Sequence, residues 1–404
     1  MPVRQRQEVQ AVPRQAGLIA PDDESYWAQI AAQYDVSPSF LNLENGYFGV
    51  QARPVFEAFQ RYERTVNRDN SFFLRREWPG RHAHVLKRLA AFAGVDEGEL
   101  LITRNLMESL NIILQGYPWR AGDEVVCASH DYDEVAETLE MVAQRRGLRV
   151  ARVEVPLNPS GDDEIVAVYE GALSEHTRAI LITHMVHRTG QIMPVARLSA
   201  LARSRGVDTI VDAAHSFAQL DFRLPDLGAD FVGANLHKWL GAPLGVGLLY
   251  VKRERLGEIA PLFGSMAHAD GGIARLGNVG TVPPAPVLAI EDALDFHESI
   301  GSASKEARLR YLTQYWVARV RGLPGLRMLT PSDPQRSCAI AVFAIDGLPA
   351  QQVCDRLLEE YGIFTVVRPV AGTHGVRVTP HLYITPSDLD RLVAALQAMT
   401  RETQ

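Results

Sequence analysis

Cysteine, surplus positive charge and long apolar runs are all scarce in this chain. Cys127, Cys338 and Cys354 are its three cysteines, widely separated and in no C-x-x-C spacing, so neither a disulfide framework nor a zinc ribbon is expected. That usage fits a reducing cytoplasm. Lys and Arg number 41 against 48 Asp and Glu, a formal net charge of −7. Without a basic surplus to neutralise phosphates, nucleic acid is not an expected partner. Arg, Asp or Gly interrupts every hydrophobic run short of the roughly 18 residues that a membrane span requires, so no membrane association is expected. The first 25 residues carry early positive charge but never reach the apolar stretch of a signal peptide, and a soluble protein is expected.

What is present is enough apolar material for a large core: 47% of 404 residues. A chain of this length ordinarily divides. The pattern predicts a polar, Gln-rich leader over 1–24, a large domain over 25–280 and a smaller α/β domain over 281–404, with 25–50 packing on the smaller one. One short amphipathic helix is predicted in SYWAQIAAQYDV, and helical spacing runs from Pro54 to Phe92. VNRDNSFFLRREWPG, around Asn70, reads as a break in that stretch, either lining a pocket mouth or packing Phe72 and Phe73 as a surface loop. Between Leu100 and Tyr250 the Val/Ile/Leu runs LLIT, EVVCAS, VARVEV, RAILITH, DTIVDAA, DFVGAN and GVGLLYV alternate with helical segments starting near Glu108, Asp133 and Val195. Strands buried on both faces and separated by helices make an α/β fold with a mostly parallel sheet, predicted to be seven-stranded.

The chemistry concentrates in VDTIVDAAHSFAQLDFRLPDLGADFVGANLHKWLGAPLGVGLLYV, which sets Asp212 at the end of one apolar run and Lys238 just after another. Strand ends of this kind meet at the ligand crevice of an open α/β sheet. A buried carboxylate needs a cation or donors, and a lysine between His237 and Trp239 has partly apolar surroundings that lower its pKa and suit it to Schiff-base chemistry. Pyridoxal 5'-phosphate (PLP) chemistry needs this pair: an amine to hold the aldehyde and an acid beside the pyridine nitrogen. Alone, each residue is commoner as a solvated lysine or a turn-forming aspartate.

VDAAH, NLHKWL and GAPLGVG, in that order, resemble the class V aminotransferase family of fold-type I PLP enzymes, and the likeness runs from about Leu41 to the C-terminus. HRTG and LNLENGYFG are closest to its isopenicillin N epimerase-like branch. The resemblance implies PLP as cofactor, with Lys238 as the aldimine lysine and general base. It implies cofactor contacts from Asn105, Leu106 and Met107 in the phosphate-cradling turn of ITRNLMESLN, where relatives commonly carry Thr at the place of Leu106 or Met107. Tyr132 would stack on the pyridine ring, the other reading being an exposed loop tyrosine. Asp212 would pair with the ring nitrogen, His215 would lie near the cofactor and His237 on the phosphate. His187 stands where relatives place Asn against the phenolic oxygen. Gly280 and Thr281 of GNVGTV would reach the phosphate of a neighbouring subunit, implying a homodimer with active sites at its interface; a plain Gly-rich turn is the other reading. Arg377, in VRVTPHLYITPSDLDRL, would pair with the carboxylate of an amino-acid substrate, although an arginine in a strand is more often a surface group.

The branch holds several reaction types. Epimerisation or transamination at the α-carbon, through the Lys238 aldimine and a quinonoid, is the expected function, with β-elimination or C–S lysis as the alternative. His184, His187 and Tyr132 are candidates for the second acid that epimerisation needs. A desulfurase is not expected, because TVVRPVAGTHGVR lacks the family's nucleophilic cysteine and Cys338 and Cys354 read as packing residues. From another class, a metallohydrolase would use His184, His187, Asp212 and His215, but it leaves HKW and GAPLGVG unexplained. A non-catalytic binding module would not need Lys238, Asp212 and Arg377 together.

Overall fold

The computed structural model describes residues 17–264, 272–370 and 372–402, so most of the predicted leader lies outside the described residues. Strands β1 to β8 comprise Leu41–Asn42, Leu100–Thr103, Glu124–Ala128, Arg149–Val153, Thr177–Thr183, Asp208–Asp212, Phe231–Asn235 and Gly247–Val251. β9 to β13 follow at Leu326–Met328, Ala341–Ile345, Ile363–Phe364, Val366–Val370 and Thr373–Val378. The main sheet has seven strands in the order β2-β8-β7-β6-β5-β3-β4, parallel except where β8 runs against both neighbours. β6, β7 and β8 are buried along their whole length, which is why DTIVD, FVGAN and GLLYV read as continuous runs rather than alternating ones. A four-stranded antiparallel sheet, β12-β13-β10-β9, lies in the C-terminal part, and β1 pairs in parallel with β11.

Helices α1 to α6 are Glu24–Ala31, Arg53–Phe72, Trp78–Ala93, Leu106–Gly116, Asp133–Arg146 and Asp162–Ala172. α7 to α11 are Val195–Ser204, Pro284–Ile300, Ser302–Val320, Ala350–Tyr361 and Pro386–Glu402. The start of α4 is two residues earlier than the apolar spacing predicts, because the Asn105 side chain accepts the Glu108 amide at 2.9 Å and caps it. α5 carries Asp133 and Glu134 in its first turn, Arg145 and Arg146 in its last, and stops at the left-handed Gly147, so its charges oppose the helix dipole at both ends. Cys338 lies before β10, which begins at Ala341.

The segment around Asn70 is a kink, with Asn70 at φ 50°, followed by a π-helical turn over Phe73–Glu77. It splits the two aromatic side chains: Phe73 is buried and Phe72 is exposed. α8 packs along α2 and α3. We propose that the smaller unit begins near residue 281.

Residues 41–49 form a strap between the C-terminal part and the main sheet. Thr379 donates its amide to Leu43 O at 2.8 Å, and the Asn45 amide donates to Thr379 Oγ1 at 2.6 Å. At its far end the Gly49 amide donates to His237 O at 2.9 Å. A Cβ at Gly49 would stand 2.3 Å from the Lys238 carbonyl oxygen, a backbone atom with no room to retreat. Gly49→Ala is therefore expected to lower the thermal midpoint, as read by melting.

Candidate active site

Register sets the site. β5, β6 and β7 are paired so that Thr183 lies opposite Asp212 and Asp212 opposite Gly233, which brings three strand ends to one edge of the sheet. Above that edge is a cavity of about 300 Å³, at the small end of the range for cofactor sites. Asn105, Leu106, Met107, Tyr132, His187, Asp212, His215, His237 and Lys238 all line it.

Asp212 closes β6 and is buried, with Oδ1 accepting the Ala214 amide at 2.8 Å. Burial raises its pKa, while that amide and the Lys238 ammonium work in the opposite direction. Lys238 follows β7, and its Nζ is 3.1 Å from His215 Nε2. Burial depresses the lysine pKa, opposed by the Asp212 charge. His187 is buried and neutral: burial, then Arg377, hold its pKa well below the ordinary value. Its Nδ1 has no hydrogen-bond partner among the described residues, and its ring meets Tyr132 edge-on at 5.1 Å. Burial also brings His237 down to about 4, with Nδ1 3.3 Å from Val246 O.

The N-terminus of α4 points into the same cavity. Of its first amides, Leu106 donates to Asn235 Oδ1 at 2.8 Å, Glu108 to Asn105 Oδ1 and Ser109 to Asn105 O, which leaves that of Met107 for a ligand.

Other predicted residues are placed elsewhere. Arg377 is fully buried behind the cavity wall: Nε and Nη2 hold Glu44 at 3.3 and 2.5 Å, and Nη1 donates to His187 O at 3.0 Å. Its charge is therefore matched by a carboxylate that sequence reasoning did not single out. Gly280 and Thr281 are exposed, and Gly280 lines a neighbouring cavity of about 320 Å³ that shares only Arg104 and Gly245 with the first. His184 packs edge-on against Phe222 at 5.0 Å and does not line the cavity, because alternation along the chain turns it away from His187. Among the described residues no three His, Cys, Asp or Glu side chains form a metal-binding group, so the four residues of the metallohydrolase reading are not gathered as ligands.

Tyr47, Arg104, Thr183, Ala214, Asn235, Leu244 and Gly245 complete the lining and were not predicted. Asn235 was the most accessible of these to sequence reading, since it ends the DFVGAN run three residues before Lys238. Arg368 on β12 is half-buried, donates to Val367 O at 3.0 Å and lies close enough to Arg377 for their charges to repel.

Neutral buried histidines make the fold acid-sensitive. Among the described residues His381 has no hydrogen-bond partner for either ring nitrogen, and burial lowers its pKa to about 3. The unfolded chain takes up this proton near pH 6.5 and the folded chain does not, so the contribution is complete above 6.5 and lost as pH falls toward 3. Relative to wild type, His381→Phe should gain stability steadily over that window in urea titrations at successive pH values.

Together, a strand-end carboxylate, a half-buried lysine and an open helix N-terminus around one cavity define a PLP-dependent α/β enzyme of fold type I. The aminotransferase class-V sequence profile matches residues 55–392, and the chain belongs to that family. It is 30% identical to the isopenicillin N epimerase of Streptomyces clavuligerus over 93% of this chain and 99% of that one. A probable cysteine desulfurase of Vibrio cholerae is 26% identical over 77% of this chain and 80% of the other. Among solved structures, the fold is shared with C-DES carrying glycine covalently linked to its PLP cofactor (TM-score 0.82, 23% identity, 91% of this chain and 98% of that one). It is shared too with the cysteine desulfurase CsdA of Escherichia coli (TM-score 0.81, 23% identity, 93% and 98%). PLP is the cofactor.

Proposed function

We propose that this enzyme rearranges bonds at the α-carbon of an amino acid, with epimerisation as its reaction and Lys238 as its cofactor-bearing amine and base. The observation that carries the reading is the placing of Lys238 and His187 beyond β7 and β5, the strands on either side of Asp212 on β6. Two proton-handling groups thus flank one carboxylate, which suits removal of a proton by one and its return by the other. The near full-length likeness to isopenicillin N epimerases supports the same reaction.

PLP, when bound, would supply an electron sink for the α-carbon of an amino-acid substrate. Burial, against the pull of Asp212, lowers the pKa of Lys238 Nζ to about 8 and so favours the free amine that takes the proton. Asp212 holds negative charge where the ring nitrogen would lie. The Met107 amide and the α4 dipole would hold the phosphate, with Asn105 spent on capping, Leu106 on the wall and His237 beside the anion. Tyr132 would cover the ring, and His187 Nδ1, which has no hydrogen-bond partner among the described residues, is available to donate or return a proton. We propose that Arg377 receives the substrate carboxylate by exchange with Glu44, and that Gly280 and Thr281 serve a partner subunit in a homodimer.

Transamination uses the same groups. Elimination from a sulfur-bearing amino acid is the second reading, favoured by the likeness to L-cysteine desulfhydrases. A desulfurase role is disfavoured, because Cys127, Cys338 and Cys354 are all buried with raised thiol pKa values. The deciding experiment follows single amino acids in heavy water. Deuterium at the α-carbon with inversion supports epimerisation, whereas keto acid without inversion, or ammonia with sulfide, would replace it by transamination or lysis.

A further inference from the structure

The side chain next to Lys238 has a specific electronic consequence. Trp239 is fully buried, and its indole Nε1 lies 3.3 Å from His215 Nδ1. An indole nitrogen can only donate, so His215 Nδ1 must be the acceptor and cannot carry a proton. His215 is itself buried, and burial followed by the Lys238 and Arg377 charges holds its ring neutral. A neutral imidazole has one proton, which must then sit on Nε2, the nitrogen 3.1 Å from Lys238 Nζ. An N–H needs a lone pair to bond to, and Lys238 offers one only as the free amine. The ammonium form would set N–H against N–H.

We infer that Trp239 is a positioning residue: its indole N–H fixes the His215 tautomer and, through it, favours the unprotonated amine of Lys238. The inference rests on the reading of Lys238 as the cofactor-bearing residue, because only the free amine attacks an aldehyde. Two further contacts hold Trp239, one on its backbone and one on its ring. Lys305 Nζ donates to the Trp239 carbonyl oxygen, and the His381 ring lies nearly parallel to the indole at 5.8 Å and 13°. A phenylalanine at 239 would keep the packing and lose only the donor.

The primary test is nitrogen-15 NMR of the histidine rings in the full chain freed of cofactor. Wild type should show His215 protonated at Nε2 and bare at Nδ1; a proton on Nδ1 in wild type overturns the inference without any variant having to fold. In Trp239→Phe the ring should shift partly or wholly to the Nδ1–H form, and an unchanged tautomer overturns it equally. A second readout is the pH dependence of the rate at which added PLP forms a borohydride-reducible link to Lys238. Asp212, Glu44, Arg377, Arg368, His187 and His237 surround this amine in both proteins, so the comparison isolates the indole. In Trp239→Phe the midpoint should rise by about one unit, slowing the reaction below it about tenfold. Equal midpoints would mean that the indole is structural only. If wild type forms no link at Lys238, the functional reading fails while the tautomer result stands by itself.

Discussion

Lys238→Ala is expected to abolish the borohydride-reducible link to PLP and to slow turnover by at least about 10³-fold, since one substitution removes both the amine that holds the cofactor and the base. Folding should be little affected, because the lysine is half-buried and its loss relieves a desolvated cation. PLP should still associate without a covalent bond, held by the Met107 amide, the α4 dipole and Asp212, and show the absorbance of a free aldehyde. A reducible link in the variant would move the cofactor to another lysine. The buried Lys305, held on the Trp239 carbonyl with a pKa lowered to about 7, is the one to check first.

The second large effect concerns Arg377. Its pair with Glu44 is almost completely buried, with 1% and 5% of the two side chains exposed. Removing one member strands the other charge, so Arg377→Ala should cost about 3–5 kcal/mol of stability, measured by urea unfolding. It should also weaken amino-acid binding much more than PLP binding. Because the loss of stability could obscure that comparison, Glu44→Gln is the informative companion. It keeps the shape of the carboxylate and one of its two acceptor oxygens but frees the arginine charge, and so should lower KM if a substrate carboxylate takes the place of Glu44. A raised KM with PLP affinity unchanged would instead assign substrate recognition to the pair as it stands.

Much of this could be read in one dimension. Continuous apolar runs in DTIVD, FVGAN and GLLYV announced strands buried on both faces, because a parallel sheet covered by helices leaves no polar side to alternate with. Asp212 and Lys238 stood out as a pair: each alone is commoner as a turn-forming aspartate or a solvated lysine, but together they match the amine and acid that PLP chemistry needs. Asn105 was found by resemblance, but its capping of α4 was not foreseen; that needed the helix start to be known.

The sequence by itself determined the class of fold and marked Asp212 and Lys238 as candidates at strand ends, since the first follows from local periodicity and the second from residue types at the ends of apolar runs and from their resemblance to a family motif. Only the tertiary structure decided which distant groups meet. Glu44 and Arg377 are 333 residues apart and form one ion pair, while Trp239, His215 and Lys238 become a single hydrogen-bonded chain. His184 and His187, three residues apart, face different surroundings. Sequence spacing specifies direction within an element, but the partner of a buried charge or ring nitrogen is set by how elements pack, and no local pattern records it.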